Sequence, residues 1–215
     1  GSGVNASTYL AKNAFEESET GLLRVLKILD NDERKLQQNE FERLVELSNS
    51  PDYSNYVVRL YGKAKLNYEG LEKEALVLEY VEGTSLRDCK NKPKNLTQML
   101  TEGLAFMHGN GVIHLDFHPG NILITNEGIA KIIDLGISKH PEVEHSKIYN
   151  RLYSAPECQA GERRVDPSLD LWSLALIVYE AETGEHLFSA SNLNLKCKEG
   201  SVKHKNAVRK KLVAW

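Results

Sequence analysis

His114-Leu115-Asp116-Phe117-His118-Pro119-Gly120-Asn121 is the stretch whose reading decides the fold. It sets a carboxylate and a carboxamide five residues apart on a short loop, just before the apolar run Ile122-Leu123-Ile124. A strand is predicted over Asn121 to Thr125, then a turn at Asn126-Glu127-Gly128 and a second strand over Ala130 to Asp134. That second strand delivers another carboxylate, in Ile132-Ile133-Asp134-Leu135-Gly136. On the loop, Asp116 can face a hydroxyl while the amide oxygen of Asn121 reaches a cation. An acid that leaves an apolar strand into a Gly-containing turn, as Asp134 does, is suited to gripping a divalent metal.

Outward from the loop, Leu96 to His108 carries Leu96, Leu100, Leu104 and Met107 at helical spacing and reads as an amphipathic helix. Asp170 to Ala181 is apolar and long enough for a buried helix. The first third reads as strands with one helix inserted. Thr8 to Phe15 and Leu22 to Leu29 are strand-like around a polar turn, Glu16 to Gly21. Asp30-Asn31-Asp32-Glu33 offers capping side chains and first-turn acids for a helix running to about Leu47. Tyr56 to Leu66 and Ala75 to Val81 form a further strand pair, joined through Asn67-Tyr68-Glu69-Gly70. The expected fold is therefore α+β. A β-rich lobe with one inserted helix covers residues 1–80, a trimmed helical lobe covers 81–215, and Glu79 to Gly83 is the hinge within one domain.

Composition sets the outer bounds. A chain of 215 residues, 41% hydrophobic and 27% charged, fits a globular protein and excludes disordered or collagen-like classes. A net charge of -3 gives no sign of a nucleic-acid partner. No apolar run approaches the roughly 18 residues of a membrane span, and no basic-then-apolar start suggests a secretory signal. Cys89, Cys158 and Cys197 are odd in number and form no CxxC pair, so they read as thiols of a reducing, cytoplasmic compartment. The histidines show no metal-ligand spacing, and His140 and His145 flank a polar, loop-like segment.

Transfer of a γ-phosphoryl group needs side chains that hold phosphates, bind Mg²⁺ and orient an acceptor hydroxyl. The segments around Asp116, Asn121 and Asp134 resemble the catalytic loop and the metal-binding Asp-Phe-Gly motif of the protein kinase superfamily. Ala155-Pro156-Glu157 resembles the motif that closes the activation segment, and Asp170-Leu171-Trp172-Ser173-Leu174 resembles the start of the large lobe's central helix. Lys27, which ends Val25-Leu26-Lys27, resembles the lysine that contacts the α- and β-phosphates, and such a lysine needs a carboxylate beside it. Among Glu40, Glu42 and Glu46, periodicity selects Glu40, because Leu36, Leu44 and Leu47 lie within about 40° of it on a 3.6-residue helix. Gly1-Ser2-Gly3-Val4-Asn5-Ala6 fits a phosphate-covering Gly-rich loop with Ala6 in the third glycine position. The resemblance implies ATP and Mg²⁺ as cofactors. Gly1, Gly3 and Lys27 would hold phosphates, Val25, Glu79 and Val81 the adenine side, and Asn121 and Asp134 the metal. Asp116 would face the acceptor hydroxyl, and His114 and Asp170 would brace the loop from below.

Several residues depart from the family pattern. Leu115 replaces the Arg that receives an activation-segment phosphate, so activation by that route is not expected. His118 stands where Ser/Thr protein kinases carry Lys, and His-x-Asp-x-His-Pro-Gly-Asn resembles aminoglycoside and other small-molecule phosphotransferases. An imidazole can donate a hydrogen bond to the γ-phosphate, which makes His118 a candidate catalytic residue. Val25 replaces the usual small Ala on the adenine side. Only 24 residues run from Asp134 to Glu157 and 27 follow Phe188, so the large lobe is trimmed.

The tail over 196–211 has seven Lys or Arg against Glu199 alone, either a solvated helix face or a docking patch for an acidic partner. Three functions follow: a Ser/Thr protein kinase acting on a protein substrate, a small-molecule kinase of aminoglycoside-phosphotransferase type, and a pseudokinase serving as a binding module. Ala155-Pro156-Glu157 favours the first and His118-Pro119-Gly120 the second, while the full set of Lys27, Glu40, Asp116, Asn121 and Asp134 argues against the third. The expected setting is the cytoplasm, or a host cytosol for a delivered effector.

Overall fold

Tight turns and alternating burial build the first sheet. In the computed structural model, which describes residues 6–12, 23–29, 34–135, 152–160, 165–189 and 206, β1 (Ala6–Lys12) pairs with β2 (Leu23–Leu29). β2 pairs with β4 (Leu71–Glu79) and β4 with β3 (Leu60–Tyr68), all antiparallel, in the order β1-β2-β4-β3. Glu69 and Gly70 join β3 to β4 with φ of 54° and 81°, a two-residue turn whose twist suits the flanking strands. Val25 and Lys27 sit two apart on β2, opposite Leu78 and Leu76, and so share one face of the sheet. The inserted helix α1 (Arg34–Ser48) buries Glu40, Leu44 and Leu47 and leaves Gln38, Glu42 and Glu46 exposed. Its expected capping segment and the turn over residues 16–21 lie outside the described residues.

One strand expectation needs correction. Tyr56 to Arg59 do not begin β3 but cross to the second sheet. Val57 bridges Ile132 in parallel, Ile132 N–H donates to Tyr56 O (2.7 Å) and Val58 N–H to Ile132 O (2.9 Å). Val57 and Val58 are consecutive and both buried, which the period-two burial of a half-exposed strand does not allow. β3 begins at Leu60 and reaches Tyr68, and β4 starts at Leu71 rather than Ala75.

The second sheet has the order β5-β6-β7, from β5 (Gly83–Ser85), β6 (Ile122–Thr125) and β7 (Ala130–Ile132). α2 (Leu96–Gly109) lies against β7, where Gly103 permits the approach: a Cβ there would sit 2.7 Å from Ile132 Cδ1. α3 (Pro156–Ala160) precedes α4 (Ser168–Thr183), which ends on Gly184 in a left-handed conformation with its N–H donating to Glu180 O. Leu100, Leu104, Met107, Ile122, Ile132 and Ile177 form the centre of this lobe's core.

Two boundaries differ from expectation for one reason. Asn121 belongs to a single 3-10 turn, Pro119–Asn121, where its N–H donates to His118 O (2.9 Å) instead of across the sheet, so the Asn121–Ile133 pair is left with the bond from Ile133 N–H to Asn121 O (2.9 Å) and β7 stops at Ile132. The architecture is α+β and bilobal, a β-rich lobe followed by a helical one. Among the described residues no helix is long and apolar enough to cross a membrane. The basic tail over 196–211 lies outside the described residues apart from Asn206.

Gly83 tests how tightly β5 is held. A Cβ there would lie 2.3 Å from Ile124 O and 2.8 Å from its carbonyl carbon, both backbone atoms that cannot rotate away. Gly83→Ala is expected to cost about 1–3 kcal/mol of stability, read as a lower urea midpoint followed by tryptophan fluorescence.

Candidate active site

Lys27, Glu40 and Asp134 come from three separate elements and meet. β2 sends the Lys27 ammonium to 2.7 and 2.8 Å from the two Glu40 oxygens and 2.9 Å from Asp134 Oδ1. Glu40 is 2% exposed, as its place on the apolar stripe of α1 dictates. Burial opposes the charge on Lys27, but the carboxylates of Glu40 and Asp134 outweigh it and hold the ammonium above the ordinary lysine range. Burial likewise pushes the Glu40 carboxyl up, against the pull of Lys27. A cation kept charged beside Asp134 is what a phosphate-binding lysine requires.

The loop that opened the sequence reading is held from beneath by Asp170 on α4. Its carboxylate, 1% exposed, accepts from His114 N (2.8 Å), from Leu115 N (2.9 Å) and pairs with His108 Nε2 (2.8 Å). His114 is fully buried. Its Nδ1 accepts from Asp116 N (3.3 Å), so the proton sits on Nε2, which donates to Ile133 O (3.1 Å). These bonds fix Leu115 at φ 67°, a left-handed conformation costing about 1–3 kcal/mol for a residue with a side chain.

Asp116 and Asn121 are brought together as predicted. Asn121 Nδ2 donates to Asp116 O (3.0 Å) and Oδ2 (3.3 Å), leaving its carbonyl oxygen as the atom for a cation. Asp116 Oδ1 is buried and has no hydrogen-bond partner among the described residues, an arrangement that an acceptor hydroxyl would satisfy. His118 Nδ1 accepts from Gly120 N (3.0 Å), so its Nε2 carries the proton and points toward Asp116 Oδ2, 3.5 Å away.

A cavity of about 210 Å³ is lined by Lys27, Glu40 and Asp134, together with Val25, Glu79 and Val81, whereas Asp116, Asn121 and His118 are not part of its wall. Gly1 and Gly3 lie outside the described residues. Sequence reasoning missed Thr8, Leu78 and Leu123 in its wall. It also missed Lys131, whose Nζ lies 2.7 Å from Glu79 Oε1 while Glu79 Oε2 accepts from Arg59 N (3.1 Å). The carboxylate of Glu79 is thus occupied in stitching the hinge. His108 was missed as well, since nothing in its position forecasts a partner on α4. The donor set fits Mg-ATP: apolar walls for a base, Lys27 for phosphates, and hard oxygen ligands from Asp134 and Asn121 for the ion.

The family described as Protein kinase domain matches residues 1–212. This chain belongs to that family. Cyclin-dependent kinase 20 of Homo sapiens is 38% identical over 104 residues, 46% of this chain and 30% of that protein. Cyclin-dependent kinase 12 of Caenorhabditis elegans is 31% identical over 175 residues, 79% of this chain and 23% of that protein. Cyclin-dependent kinase-like 2 of Rattus norvegicus is 28% identical over 181 residues, 78% of this chain and 34% of that protein. The kinase domain described here therefore spans about a quarter to a third of the length of these relatives.

The bracing of the kinase loop makes a stability prediction. Asp170→Ala leaves the buried N–H of His114 and that of Leu115 without an acceptor, each omission costing roughly 1–3 kcal/mol. The variant should unfold at markedly lower urea concentration, and Asp170→Asn, which keeps one acceptor oxygen, should lose less.

Proposed function

We propose that this protein kinase domain transfers the γ-phosphoryl group of Mg-ATP to a Ser or Thr hydroxyl of a protein. The observation that carries the reading is the meeting of Lys27 with Glu40 and Asp134 within 2.9 Å. Bound ATP supplies the phosphoryl group, and bound Mg²⁺ neutralises charge on it. The protein's own task is placement. Lys27 holds phosphate oxygens, with Glu40 fixing the direction of its ammonium. Asp134 and Asn121 offer the oxygens for the metal. Asp116 Oδ1 takes the hydroxyl proton, and the Nε2–H of His118 donates from the same side.

A protein acceptor is supported by the segment around Ala155-Pro156-Glu157. Ser173 Oγ on α4 donates to Tyr153 O (2.9 Å), and Tyr153 donates from its hydroxyl to Glu180, so the segment is tied to the large lobe at the acceptor side. Leu115 has no donor for a phosphate, which supports a kinase that works without phosphorylation of its activation segment. The relatives are named for cyclin dependence, so a cyclin is the first partner to add to a slow isolated domain. The second reading, a small-molecule acceptor, is favoured by one observation: the imidazole of His118 aimed at Asp116.

Incubation with radiolabelled ATP, Mg²⁺ and generic protein or small hydroxyl acceptors tests the proposal. Label on protein supports it, and label on small hydroxyl compounds alone shifts it to the second reading. No transfer and no Mg-ATP binding overturn both. Asp116→Asn should lower turnover by about 10²–10⁴-fold while Mg-ATP still binds, and Asp134→Ala should weaken Mg-ATP binding itself.

A further inference from the structure

Between β5 and α2 the chain reads Arg87-Asp88-Cys89-Lys90-Asn91-Lys92-Pro93-Lys94, four cations against one carboxylate in a protein of net charge -3. Arg87, Lys90 and Lys94 are exposed and Lys92 is half-buried. None of the four pairs with a carboxylate among the described residues. A run of charge is ordinarily just a solvated face, and its placement decides whether this one is more.

Two contacts fix that placement. Arg87 N–H donates to Pro119 O (3.3 Å), and its guanidinium occupies the space over Gly120, in the loop that carries Asp116. A Cβ on Gly120 would sit 2.8 Å from Arg87 Nη2 and 2.8 Å from Cε1 of His118. At the other end, the ring of Pro93 lies 4.0 Å from where a Cβ on Gly128 would be, on the turn between β6 and β7. The strip therefore starts at the rim of the acceptor site and leads away from it along the second sheet. Its first guanidinium, though exposed, lies over Gly120 of the catalytic loop. A side chain at Gly120 would displace the Arg87 guanidinium or the His118 ring from this position.

An arginine so held presents a planar fork of donors that suits a carboxylate, and the lysines behind it add a positive field. Resting on the kinase reading above, we propose that Arg87, with Lys90, Lys92 and Lys94, forms an acceptor subsite that selects protein substrates with acidic side chains close to the phosphoacceptor hydroxyl. The guanidinium supplies short-range selection. The lysines supply attraction that salt screens.

The test is a set of three peptides that share one serine and differ only in flanks of Asp/Glu, Ala or Lys, each phosphorylated from radiolabelled Mg-ATP at low and high salt. Wild type should show a kcat/KM about tenfold higher for the acidic peptide than for the Ala peptide, the size of one charge-assisted hydrogen bond. Arg87→Glu should move the ranking toward the Lys peptide. Lys90→Glu with Lys92→Glu should mainly flatten the salt dependence. Fluorescence anisotropy of the labelled peptides reads the same ranking without turnover. Equal kcat/KM for all three peptides, or an acidic preference that survives Arg87→Glu, overturns the subsite and leaves the kinase activity standing. No transfer to any peptide overturns the activity and the subsite together. A single-stranded oligonucleotide that binds wild type and is lost in these variants, with a flat peptide ranking, would make the strip a nucleic-acid surface and overturn the proposal.

Discussion

The ammonium of Lys27 between the carboxylates of Glu40 and Asp134 is the constraint on which the remaining geometry depends. It ties the first sheet, the inserted helix and the end of β7 into one arrangement. A buried ion pair adds little net stability, because desolvation takes back most of the attraction, yet breaking one partner away costs several kcal/mol. Its value here is positional. Glu40 is held inward by Leu44 and Leu47 on the same stripe of α1, so the apolar core of the small lobe aims a charge. Hydrophobic burial of the helix and placement of the Lys27 ammonium are one event.

The large lobe solves a second problem with the same means. Asp116 must stand at a fixed height above α4, on a loop too short to form a regular ladder of its own. Asp170 replaces that ladder by accepting two successive backbone N–H groups, while His108 Nε2 pairs with its carboxylate and the His114 imidazole separately donates to Ile133 O. The left-handed backbone of Leu115 and of Asp134 (φ 62°) is held by these bonds and by the Lys27 contact. Strain at two residues is offset by satisfied polar groups beneath them.

How much of this was legible depended on how far apart the interacting residues lie along the chain. Asp116, Asn121 and Asp134 share one hairpin-sized segment, so local spacing exposed their chemistry. Glu40 was separable from Glu42 and Glu46 because the leucines beside it mark the buried stripe. His108 meets Asp170 from 62 residues away, and no local pattern foretells such a pair. Lys131 stands in a short strand with no local sign of a partner, but its stem is buried and its head reaches Glu79 in the other lobe. Tyr56 to Val58 misled for the opposite reason. The aromatic Tyr56 and the β-branched Val57 and Val58 do mark extended backbone, but the partner is Ile132 in the second sheet, and burial of both valines is the hint of it. Thr8 faces the cavity from a strand whose polar residue gave no apolar signal.

That misplaced segment has a mechanical consequence. The chain passes between the lobes at residues 56–59 and again at 80–82, and the two passages are laced together where Arg59 O accepts from Glu79 N (2.8 Å) and Arg59 N donates to the Glu79 carboxylate. Lys131 pins the same carboxylate to the large lobe. Two bodies joined along one short seam keep a single easy degree of freedom: rotation about the seam. Sliding or twisting would shear its hydrogen bonds. A swing of the small sheet about residues 59 and 79 is the movement that leaves these bonds intact, and it is the one that changes the width of the cavity lined by Lys27 and Asp134.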